Sequence, residues 1–103
     1  MSLDIALLNN AGYPIQEVKV STEEHSQLLQ QAEKLSLPLL SRLRDYYQDV
    51  EYTSQETLYL QDEIIRLTTQ CSGDPEFCTL IERLQFLVCQ AVKDAKNVVA
   101  IAD

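Results

Sequence analysis

The period of apolar and polar positions changes along the chain, and each change predicts an element. Leu3, Ile5 and Leu7 recur at every second residue, and Ile15 to Val20 is β-branched and partly alternating. That spacing turns one face of a strand inward. Between the two runs lies Asn9-Asn10-Ala11-Gly12-Tyr13-Pro14. Asn and Gly tolerate positive φ and Pro ends a ladder, so the runs read as an antiparallel pair joined by a loop.

From Ser21 the period lengthens. Ser21-Thr22-Glu23-Glu24 is a capping box, in which the serine hydroxyl meets the N–H of Glu24 and the Glu24 carboxylate reaches back. The helix it starts carries His25, Leu28, Leu29, Ala32 and Leu35 on one face and ends near Lys34. Ser36-Leu37-Pro38 predicts a second helix, with Leu39, Leu40, Leu43, Tyr46, Tyr47 and Val50 on its inner face. Thr53-Ser54-Gln55-Glu56 is another capping box, opening a helix whose stripe is Leu60, Ile64, Leu67 and Cys71, widened by Leu58 and Ile65. Asp74 as N-cap and Pro75 at the first helical position start the most regular helix. Its stripe, Phe77, Leu80, Ile81, Leu84, Leu87, Val88, Ala91, Val92 and Ala95, is that of a central core helix, with Phe86 and Cys89 beside it. After Lys96-Asn97 the continuous apolar run Val98 to Ala102 predicts a strand buried on both faces. The expected fold is α+β, a single domain over residues 1–103 in the order β-β-α-α-α-α-β. A small, mainly antiparallel three-stranded sheet packs against a helical layer.

Charge changes the picture. Sixteen acidic side chains oppose eight basic ones, a net charge of −8. Such a field repels phosphates, which sets nucleic acid and anionic membranes aside as partners. It attracts a basic protein, although net negative charge also simply favours solubility. No stretch approaches the ~20 apolar residues of a membrane span. The opening MSLDIALLNN lacks the positive region and the apolar length of a secretory signal. The odd number of cysteines, Cys71, Cys78 and Cys89, rules out a complete internal disulfide framework. Reduced thiols in a cytoplasm are the expectation.

Chemistry is sparse. The three cysteines and His25 lack the close pairs of structural zinc sites. No metal and no cofactor is expected. There is no phosphate-binding glycine loop and no nucleophile elbow. His25 reads as a boundary residue satisfied by a local hydrogen bond, and the expectation is a protein that is not an enzyme.

The stretch DYYQDVEYTSQETLYLQDE, Asp45 to Glu63, holds four tyrosines and six carboxylates without a lysine or arginine. Tyr46 and Tyr47 belong to the core face of the second helix, and Thr53 and Glu56 belong to a cap. Asp49, Glu51, Tyr52, Tyr59, Asp62 and Glu63 remain, with no base nearby to pair them. They are the candidate site for a protein partner. Tyrosines supply rigid contact area and carboxylates steer a basic partner, as in an inhibitor that fills the phosphate site of a nuclease. The alternatives are a homo-oligomeric structural or regulatory module, joined through the last strand or through Phe86 and Cys89, and a small metal-dependent hydrolase built on the acids.

Leu3-Asp4-Ile5, Pro38-Leu39-Leu40-Ser41-Arg42 to Tyr46, and Ile101-Ala102-Asp103 make the layout similar to small bacterial proteins without an assigned activity. Separately, the small acidic format with Tyr46-Tyr47 resembles the toxin-immunity proteins of the colicin nuclease type. Those are all-helical and shorter, so the resemblance implies a functional idea and transfers no residue.

Overall fold

A computed structural model of the chain describes residues 3–9, 11–45, 48–70 and 73–102. The first hairpin forms as its pattern predicts. Strand β1 (Leu3–Leu8) pairs antiparallel with β2 (Pro14–Val20), Ile5 opposite Val18 and Leu3 opposite Val20. The Asn9 side-chain oxygen accepts from the backbone N–H groups of Ala11 and Tyr13, each at 2.9 Å. Gly12, at φ 85°, takes the left-handed conformation that closes this turn.

Helix α1 (Thr22–Lys34) begins at the predicted capping box. Glu24 N–H donates to Ser21 Oγ at 3.2 Å and Ser21 N–H to Glu24 Oε1 at 3.0 Å. It ends where Ser36 turns left-handed and the N–H of Leu37 reaches back to the Ala32 carbonyl at 2.8 Å. Helix α2 (Glu56–Thr68) follows the second capping box, whose two reciprocal bonds join Thr53 and Glu56. Helix α3 (Pro75–Asp94) is capped by Asp74, which accepts from Phe77 N–H at 3.1 Å. Phe77, Leu80, Ile81, Leu84, Leu87, Val88 and Ala91 are all buried, each large side chain contributing about 1.5–3 kcal/mol. Helices α1 and α2 both pack on α3, which packs on β1 and β2. The helices therefore form one layer on one face of the sheet.

The second predicted helix is absent. In its place stand a 3₁₀ turn, η1 (Leu40–Arg44), and a strand, β3 (Val50–Tyr52). Among the described residues the sheet thus has four antiparallel strands, ordered β2-β1-β4-β3, and the α-helices number three, which corrects the expected three strands and four helices. The reason is pairing. Strand β4 (Val98–Ala102) joins β1 on one side, and its other side takes Val50 opposite Ala100 and Tyr52 opposite Val98. A three-residue strand is too short to show a period of two, and the helical spacing of Leu39, Leu40 and Leu43 masks it. Tyr46, Tyr47 and Cys71, read as core from their spacing, lie outside the described residues.

Two burial expectations are also corrected. Leu58 and Ile65, read as widening the inner stripe of α2, are exposed. Strand β4 is covered on one face only: Val98 and Ala100 are fully buried, Val99 is half-buried and Ile101 is exposed. With every helix on the same side, the other face of the sheet is covered, among the described residues, only by its own side chains at Ala6, which is buried, and is open at Ile101.

Candidate functional site

The six candidate residues separate. Tyr59 and Asp62 are exposed on α2 and, with Glu56, Glu63, Arg66, Pro38 and Leu39, line a hollow of 490 Å³. Asp49 and Glu51 are exposed at β3, beside a second hollow of 270 Å³ that includes Leu8, Val99 and Ile101. Tyr52 and Glu63 are interior, 1% and 6% exposed. Tyr52 is the last residue of β3.

Nor do the carboxylates lack partners, as their isolation in the sequence implied. Glu56 bonds to Arg42, a residue distant in sequence. Asp62 pairs with Arg66 one turn on, at 3.2 Å. Asp49 Oδ1 accepts from Ala102 N–H at 2.8 Å, and Glu51 Oε1 accepts from the Asn97 side chain at 3.1 Å. Both of these bonds reach the β4 side of the sheet and fix the two carboxylates against it.

Glu63 does something else. Its oxygens accept from the backbone N–H groups of Leu39 and Leu40, at 3.0 and 2.9 Å. The Tyr52 hydroxyl donates to the Leu39 carbonyl at 2.6 Å, and His25 Nε2 donates to the Leu43 carbonyl at 2.5 Å. Irregular backbone next to a core must find hydrogen bonds outside itself. Three polar side chains, from α1, β3 and α2, supply them to the segment around η1. This corrects the local hydrogen bond expected for a boundary His25: the ring is buried and its partner is the distant Leu43 carbonyl.

Arg42 lies over this clamp, its guanidinium carbon 5.6 Å from the centre of the Tyr52 ring. The hydrogen bond from Arg42, helped by the Thr53 N–H, pulls the Glu56 carboxyl down from 4.5 to about 2. Glu56 binds protons less readily folded than unfolded, so its contribution to stability is complete above the unfolded value. It is lost as pH falls from 4.5 towards 2. We expect Glu56→Gln to flatten the acid limb of stability across that window, measured by denaturant titration at stepped pH. An unchanged limb would show that the Arg42 bond does not persist in solution.

Among the described residues no three His, Cys, Asp or Glu side chains converge as metal ligands would, and no helix is long and apolar enough to cross a membrane. Leu8, Val99 and Ile101, apolar side chains beside Asp49 and Glu51, are not among the six candidates; of these only Leu8 is new, since the sequence already offers the last strand as the interface of a homo-oligomer. For Val99 and Ile101 the signal is the apolar run at 98–102, whose pattern predicts a doubly buried strand; Leu8 lies in the first strand, out of phase with Leu3, Ile5 and Leu7.

No family model matches the chain, and no curated protein does. Among solved structures the fold resembles the Neisseria DNA mimic protein DMP12, with a TM-score of 0.59 at 12% sequence identity. The match covers 98% of this chain and 99% of that one. This likeness overturns the partner expectation drawn from charge. That expectation was a protein, preferentially basic, or a second copy of the chain, with nucleic acid and membranes excluded. That neighbour, by its name, mimics DNA.

Proposed function

We propose that the protein is a non-enzymatic binding module that takes the place of nucleic acid on a nucleic-acid-binding protein. The observation that carries this reading is the combination of a net charge of −8 with end-to-end fold likeness to a DNA mimic. Nucleic acid itself is then the competitor and not the partner. A protein that grips phosphates does so through lysines and arginines whose binding releases counterions. A folded surface with excess carboxylates attracts those same cations and steers the encounter. Asp49, Glu51 and Asp62 project such charge from two sides of the molecule, and Tyr59 adds exposed aromatic area. Occupation of the phosphate site of a basic nuclease is one form this activity takes.

The test is competitive elution. Source-cell proteins held on a duplex-DNA column are washed with the purified protein. A nucleic-acid-binding protein is expected to leave the column in a defined complex with it, at concentrations where an unrelated protein of equal charge elutes nothing. The effect should weaken steeply as salt rises. Elution of no such protein, or equal elution by the unrelated acidic protein, overturns the proposal.

A further inference from the structure

The face of the sheet turned away from the helices has a definite pattern. Cross-strand pairing places Lys19, Asp4 and Ile101 in one row and Glu17, Ala6, Val99 and Glu51 in the next. An antiparallel sheet can leave one face to water, and its outward positions are then polar. Strand β4 departs from this rule. It is an inner strand, yet its outward positions are Val99 and Ile101, and Ile101 is 41% exposed. With Leu8 they form the apolar floor of the hollow beside Asp49 and Glu51.

The rim is mainly acidic. Asp49 and Glu51 line the hollow itself, Asp4 and Glu17 share its rows, and the cations beside them among the described residues include Lys19 in the first row and Lys96 in the hollow on the far side of Leu8. An apolar centre inside a charged rim is how protein interfaces are built, and the charge of the rim selects the partner. A larger hollow beside the exposed Phe86 lacks this bias, since Glu17 and Glu82 are matched there by Lys19 and Arg83.

We infer that the open face of the sheet is the seat on which the nucleic-acid-binding partner docks. Val99 and Ile101 are covered by the partner, and Glu17, Asp49 and Glu51 meet its phosphate-binding lysines and arginines. The inference rests on the proposed function and adds to it the surface used, which neither the charge total nor the fold likeness specifies.

The probe is the same source-cell protein fraction held on duplex DNA. Ile101→Lys and Glu51→Lys are each expected to raise the concentration for half-elution about tenfold or more, as loss of an interface anchor does. Glu33→Lys, at an exposed position of α1, changes the net charge as Glu51→Lys does, but on the helical layer, and should stay within about twofold of the parent. Ile101→Thr keeps the β-branch that suits a strand and should fold like the parent by circular dichroism while eluting several-fold less well. If the open-face variants elute the partner as well as the parent does, this inference is overturned and the proposed function stands. If the parent elutes nothing, the proposed function fails and the inference falls with it. If sedimentation shows a parent dimer that Ile101→Lys dissolves, a second copy covers the face and the inference is likewise overturned.

Discussion

Replacing Tyr52 by alanine is expected to lower the unfolding free energy by about 4 kcal/mol, a large part of what a domain of this size has. The ring is 1% exposed and sits where β3, η1 and the helical layer meet. Its removal leaves a cavity and strips the Leu39 carbonyl of its hydroxyl donor. Tyr52→Phe keeps the ring and should cost about 1 kcal/mol, the usual effect of one buried hydrogen bond. The two variants therefore divide packing from hydrogen bonding by denaturant titration. Equal losses would mean that the hydroxyl carries the whole effect. Tyr52 also predicts an alkaline limb. Burial holds its phenol well above the ordinary value of 10.0, with the nearby Arg42 charge opposing. The folded state keeps the proton longer than the unfolded chain. The contribution is thus intact below pH 10.0 and is lost as pH rises above it. Tyr52→Phe should shallow that limb.

Glu63→Ala should cost about 3 kcal/mol, because two backbone N–H groups near the core lose their charged acceptor together. Its neighbour in sequence gives the contrast. Asp62 forms a one-turn ion pair with Arg66 in which both side chains are mostly exposed, and Asp62→Ala should change stability by no more than about 0.5 kcal/mol. Amide exchange at Leu39 and Leu40 reads the same event locally. In Glu63→Ala these two N–H groups should exchange far faster, while those in the middle of α3 change only with global stability. If Glu63→Ala proved as mild as Asp62→Ala, the carboxylate would not be the acceptor that holds η1. This pair also bears on function. Asp62 and Tyr59 can be changed to probe binding, whereas a loss of binding in a Tyr52 or Glu63 variant would report unfolding.

The sequence by itself determined whatever is settled within about one helical turn. The boxes at Ser21 and Thr53, the Asp74-Pro75 start and the turn from Asn9 to Tyr13 are all bonds between residues at most four apart. They form whatever lies across the core. The stripe of α3 was legible because seven of its residues are buried in unbroken three- and four-residue steps. Together these fixed points carry the α+β class, the hairpin and the last strand. The tertiary structure alone decided the segment from Ser36 to Tyr52 and the fate of the acidic tyrosine stretch. Val50 and Tyr52 become a strand because β4 has a second side to pair. Glu63 turns inward because the N–H groups of Leu39 and Leu40, far off in sequence, arrive beside it. Val99 and Ile101 face outward because every helix packs on the other side of the sheet. Whether a side chain is core, clamp or contact surface depends on the element opposite it, and a one-dimensional pattern holds no record of which element that is.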